Sequence, residues 1–228
     1  MKKYELTTET LQFAGRTLHR IKAVKDFDSI KAGEFGGWIE NEKNLSQDDN
    51  AWIYGEAMAI GNARVFGNAK ILGNAHIFGN AKVFDSARVY DDAIVHNNAR
   101  IYDNAIVYDN AIVSDYAEVC ENAKVCDDAD VYGLTRIFGN AKIFGNATIK
   151  GNAKVHDDID YIVFKNFWSS GRYFTWTRSN NKWSVGCFYG TGEELIKKAY
   201  ADSVKSGREY ERVVRYVESI LADEKEKK

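Results

Sequence analysis

The sequence predicts an all-β solenoid, with one short strand and one tight corner for every six residues, and three observations carry that prediction. First, from Ala51 to Asp158 the chain keeps an unbroken period of six over 108 residues, eighteen hexads that begin AWIYGE, AMAIGN, ARVFGN. Second, the apolar period inside each hexad is two rather than 3.6. Alanine fills the first position everywhere except Thr135, and Val or Ile fills the third everywhere except Ala59, so both point to one buried face of a strand while the second and fourth positions face out. Third, the chain of 228 residues has 18 glycines and no proline, and its fifth and sixth hexad positions are Gly, Asp or Asn almost throughout. These residues accept a left-handed backbone and hydrogen-bond locally at turns.

The six-residue period resembles the hexapeptide repeat of left-handed parallel β-helices, in which three hexads close one triangular coil. Eighteen hexads then give about six coils, a prism roughly 29 Å tall at the usual strand spacing. Taking every third hexad together sorts the outward residues into three faces. The first stacks Tyr54, Leu72, Tyr90, Tyr108, Cys126 and Phe144 at the fourth position, and the third stacks Phe66, Phe84, Tyr102, Cys120, Phe138 and His156. Lysines and arginines dominate the second positions of both. The second face has a more polar fourth column of Ile60, Phe78, His96, Ser114, Tyr132 and Lys150, with Met58, Ile94 and Ile112 beside it. Aromatic ladders of this length exceed what a monomer usually exposes. Left-handed β-helices are commonly trimers, so the resemblance implies a homotrimer that buries part of this surface.

Residues 1–44 leave the hexad register and are expected to form an amino-terminal cap, with two short strands in KKYEL and RTLHRIKAV and an irregular first coil in IKAGEFGGWIENEKNLS. A cap is needed because open strand edges invite end-to-end association. The β-helix itself occupies 45–158. Residues 159–228 read as a small α+β module: a strand, a hairpin turning at Ser179 to Lys182, and two helices. Thr191 and Glu194 form a T-x-x-E capping box for the first helix, and Ser206 and Glu209 form a second box. After Ile220 the tail DEKEKK is expected to fray.

Composition narrows the partners. A net charge of -2 is unlike a generic duplex-DNA binder, which needs a basic excess to displace counterions. No stretch of eighteen apolar residues occurs and none follows the opening MKKYELTTET, so no membrane partner is expected and the location is expected to be cytoplasmic. Three cysteines, an odd number, fit a reducing compartment. Residues 159–228 hold 13 Lys and Arg against 10 Asp and Glu, leaving 18 against 23 for the rest. The carboxy-terminal module is therefore the better seat for an anionic ligand.

The opening GRTLHRIKAVKDF, the segment GEFGGWIENEKNLS, the hexad run and the closing GCFYGTGEEL together resemble the hexapeptide-repeat proteins of phages and prophages. The resemblance spans almost the whole chain. It implies the β-helix fold and a phage origin, with the host cytoplasm as location, and it carries no catalytic motif that can be placed residue by residue.

The chemistry is then read from side chains. Acyl transfer from acyl-CoA, common among left-handed β-helices, needs a histidine base in a cleft. Of His19, His76, His96 and His156, His96 is the best-placed candidate for a catalytic residue, outward on the central coil, yet the unbroken hexads supply no loop to build a cleft. A zinc hydrolase of the γ-carbonic anhydrase type needs a closely spaced histidine pair that is missing here. The corner aspartates are explained by turn chemistry, so no metal and no cofactor are expected. Cys120 and Cys126 lie on different faces and cannot pair. In the carboxy-terminal hairpin, period two puts Arg172, Trp176 and Arg178 on one face with Tyr173 on the other, and Lys182 and Trp183 follow the turn. Guanidinium groups beside aromatic planes suit a ring and a phosphate together. These six residues are the expected ligand site. The function expected is non-catalytic capture of a small anionic ligand, for example a nucleotide-derived signal of host immunity. The alternatives are the acyltransferase and a purely structural assembly protein.

Overall fold

Alanine at the first and Val or Ile at the third hexad position leave room for three short strands around a narrow interior, and these positions are buried along the whole run. In the computed structural model, which describes residues 2–226, each hexad contributes one two-residue strand, from β4 (Trp52–Ile53) to β21 (Lys154–Val155). Residues 18 apart are Cα partners, as in Arg88 with Ile106, so three hexads make one coil. The ladder bond runs from each N–H to a carbonyl of the next coil, Trp52 N to Ala69 O at 3.0 Å and onward in register. The fifth position is left-handed in every hexad from Gly55 to Gly151, including Asp91 at 57° and Glu121 at 59°. That single backbone choice turns each corner.

The fold is a parallel β-solenoid of about seven turns. Six regular coils and an irregular first coil were expected; that first coil is GEFGGWIEN, where β3 (Phe35–Ile39) pairs in parallel with β5 (Met58–Ala59) and Leu45 bridges Val65. The segment lacks the alanine signature because glycines do its work. A Cβ on Gly37 would sit 2.4 Å from Ala57 O. The two short strands expected before it are a long hairpin, β1 (Tyr4–Phe13) and β2 (Arg16–Ala23), turning at Ala14 and Gly15. This hairpin adds antiparallel strands to the edge of the second face.

Parallel ladders leave carbonyls open at one end of the prism and N–H groups at the other, and the chain answers each with the opposite chemistry. At the carbonyl end the donors are side chains. Lys3 Nζ binds Asp49 O and Ala51 O at 2.9 and 2.8 Å, Asn44 Nδ2 binds Gly61 O and Ala63 O, and Tyr4 Oη binds Leu45 O. Burial lowers the Lys3 pKa to about 8, partly offset by Asp49. At the N–H end the acceptors are side chains: Asp158 takes Lys142 N, Thr175 takes Thr148 N, Ser179 takes Lys154 N and Asp160 takes His156 N. Side chains thus cap both ends of the prism, where open groups would otherwise offer a template to another chain.

The carboxy-terminal acceptors belong to a four-stranded antiparallel sheet, β22 (Tyr161–Lys165), β23 (Tyr173–Thr177), β24 (Lys182–Val185) and β25 (Phe188–Gly190), followed by α1 (Gly192–Asp202) and α2 (Val204–Glu226). Thr191 and Glu194 cap α1 reciprocally as expected. The second box does not form. Ser206 lies inside α2, and Ser203 takes the capping role, its Oγ accepting from Ser206 N at 3.0 Å. Helix α2 also runs through Asp223–Glu226 of the expected frayed tail; Lys227 and Lys228 lie outside the described residues. The module has its own core around Phe174, Trp176, Trp183, Tyr210 and Val214, separate from that of the prism. Among the described residues no helix is long and apolar enough to cross a membrane.

Candidate active site on the second face

The aromatic ladder of the third face largely satisfies itself. Phe66, Phe84 and Tyr102 stack at 4.9 and 5.1 Å with nearly parallel planes, and Arg64, Arg100 and Arg136 lie over these rings or Phe138. Cys120 and Cys126 sit at outward positions yet are buried, covered by the larger side chains of adjacent coils. Asp109, Cys126 and Asp127 bring three metal-type ligand atoms within 4.8 Å of one another. The two carboxylates are already engaged: Asp109 accepts from Asp127 N, and Asp127 from Gly145 N.

The second face differs because both ends are overhung. A hairpin of 10 and 8 residues outreaches a two-residue rung, so its tip folds across the outside, where Leu11, Phe13 and Leu18 pack on Trp38, Met58, Ile60 and Phe78. At the other end Lys150 donates to Gly186 O at 3.3 Å and lies over the rings of Tyr132 and Tyr189. Between them the floor carries His76, His96, Ser114 and Asp130.

Under the hairpin tip is a cleft of about 540 Å³ lined by Phe13, Arg16, Ile60, His76, Phe78 and the Gly79–Asn80 corner. His76 meets Phe13 edge to face at 5.1 Å. Its ring makes no hydrogen bond to another described residue, and burial lowers its pKa below the ordinary imidazole value, with Asp92 pulling weakly the other way. The neutral form therefore dominates at pH 7, leaving a basic nitrogen. Arg16 is held by both oxygens of Glu40 at 2.7 and 2.8 Å, and Glu40 also accepts from Gly61 N. A neutral base, an apolar roof and a fixed guanidinium thus share one cleft.

His96 is not in it. That ring stacks on Phe78 at 4.8 Å and feels Asp130, whose carboxyl is pushed up by burial and pulled back by His96 and Lys150. Sequence reasoning ranked His96 over His76 because a cleft built by a segment far outside the repeat leaves no mark in the hexads. The available signal was the apolar run Leu11, Phe13, Leu18 around Ala14–Gly15, too long for a rung.

The six hairpin residues do not form one ligand face. Trp176 and Trp183 are 1% and 2% exposed, packed under the two helices, so neither ring offers a plane to a ligand. Arg178 is spent on Glu224, with its guanidinium at 2.7 and 3.2 Å from that carboxylate and its Nε on Ile159 O. Arg172 is exposed, Lys182 is half-buried at the start of β24, and Tyr173 stands half-buried elsewhere, beneath Lys165. Period two placed the residues correctly on alternate sides of the strand; it could not show that both sides are covered, one by helices and one by the prism.

Fold and cleft define a parallel β-solenoid with a histidine-bearing pocket. Over residues 99–115 the chain matches the family described as YdcK Beta solenoid repeat. It is also similar to a protein of Escherichia coli (strain K12) named "Uncharacterized acetyltransferase YdcK", with 38% identity over 64 residues, 25% of this chain and 20% of that protein. The aligned part thus spans about one fifth of that relative's length.

Proposed function

We propose that the protein is an acyltransferase whose reaction centre is the cleft beneath the hairpin, with His76 as general base. The carrying observation is the neutral, unbonded imidazole in a roofed pocket. An acceptor hydroxyl or amine gives its proton to His76 as it attacks the acyl carbonyl of an acyl-CoA; the C–S bond breaks and the thiol leaves with that proton. The name of the Escherichia coli relative supports this reading, as does the frequency of acyl transfer among left-handed β-helices.

The test is release of free thiol from acetyl-CoA with a panel of amine and hydroxyl acceptors. His76→Ala should lower kcat by roughly 10²- to 10⁴-fold with an unchanged circular dichroism spectrum. Because the imidazole pKa is lowered, the acid limb of the rate profile should fall below pH 6.5. Turnover lost in His96→Ala but kept in His76→Ala overturns the assignment.

A second reading, capture of a small anionic ligand without chemistry, is favoured by one observation: no carboxylate or carbonyl among the described residues fixes the His76 tautomer. Under it no acceptor releases thiol, and heating returns the bound molecule unchanged. Either reading includes a homotrimer, supported by the ladder positions that remain open on the first face. Light scattering should give three copies, and Tyr90→Lys with Tyr108→Lys should weaken the assembly; a monomeric wild type rejects the trimer.

A further inference from the structure

The junction between the last coil and the carboxy-terminal sheet holds a second cleft, of about 420 Å³, at the opposite end of the prism from His76. Its walls are aromatic. Phe144 is the last ring of the first-face ladder and, with no ring stacked beyond it, is 48% exposed. Tyr161 meets it edge to face at 6.4 Å and is fixed by donating to Lys142 O at 2.8 Å. Tyr173 contributes the third ring. The rim is open above Gly145, where an added Cβ would touch nothing within 4 Å.

Two cations flank these rings. Lys142 Nζ lies 5.5 Å from the Phe144 centroid and Lys165 Nζ lies 4.9 Å from that of Tyr173. Neither ammonium has a carboxylate partner among the described residues, whereas the nearby Arg178 is paired. Asp158 also lines the cleft, fixed by the N–H of Lys142. Unpaired ammoniums call for an anion, ring faces call for a planar group, and a carboxylate calls for hydroxyl donors. A cleft of this volume takes one small molecule.

We propose that this junction cleft binds a nucleoside monophosphate, the base against Phe144 and Tyr173, the phosphate between Lys142 and Lys165, and the sugar hydroxyls toward Asp158. The site is independent of acyl transfer at His76. Of the six residues expected to bind an anion, it uses Tyr173.

Calorimetry on the full chain with AMP, GMP, CMP and UMP tests the proposal, with adenosine and inorganic phosphate as partial ligands. At least one nucleotide should bind, more tightly than either fragment. Lys142→Met with Lys165→Met should weaken nucleotide binding about tenfold or more, while leaving adenosine binding and thiol release unchanged. Phe144→Ala, at an exposed ring, should weaken adenosine and nucleotide alike. No binding of any of the four at millimolar concentration overturns the proposal, as does binding that survives the double lysine substitution. Loss of acyl transfer with nucleotide binding intact removes only the His76 reading.

Discussion

Trp176→Ala should unfold the carboxy-terminal module well below the melting temperature of the prism. Trp176 is buried, with its Nε1 donating to Asn181 Oδ1 at 2.9 Å, and it shares a core with Phe174, which meets Tyr210 edge to face at 4.5 Å. Removing a buried tryptophan costs about 3–5 kcal/mol in lost transfer energy and cavity formation. A module of this size has little more to lose. The prism keeps its own core, so the loss stays local and unfolding splits into two steps. Hydrogen exchange should show β22 to α2 opening while the coils from Ala57 to Val131 stay protected. A single unshifted transition would mean that the tryptophan is not part of this core. Had Trp176 been a ligand platform, the same substitution would lower affinity at constant stability.

Gly37→Ala should detach the first coil, although alanine is the commonest residue inside this solenoid. The added Cβ would lie 2.4 Å from Ala57 O and 2.6 Å from Ile53 Cγ2. A flexible side chain could yield, but Ala57 O accepts the hydrogen bond of Trp38 N, so backbone must move. Overpacking costs about 1–3 kcal/mol where side chains adjust, and more where they cannot. We expect at least the upper end of that range, with loss of the β3–β5 pairing and of the hairpin it supports. Because the hairpin roofs His76, any thiol release should fall with the fold. An alanine variant with wild-type melting and intact hairpin protection would contradict this steric account.

The amino-acid sequence by itself determined the solenoid. A hexad places every residue by local rules, alanine and Val or Ile inward and left-handed Gly, Asp or Asn at the corner, and parallel stacking repeats those rules each 18 residues. Hence the strands, faces and ladders were all legible, and so was the Thr191–Glu194 cap, another local device. Tertiary structure decided everything that depends on which segment covers which face. GEFGGWIEN was legible as an irregular first coil, but the need for glycine at Gly36 and Gly37 comes from the atoms of the next coil that approach them closely. The hairpin tip covers the second face so that His76, and not His96, lines the cleft beneath it. Helix packing turned Trp176 and Trp183 from exposed platforms into core. The end of the first ladder, meeting the carboxy-terminal sheet, left Phe144 open beside Tyr173. The physical reason is common to all four: periodicity states the direction of a side chain relative to its own strand, whereas burial depends on contacts between residues far apart in the chain.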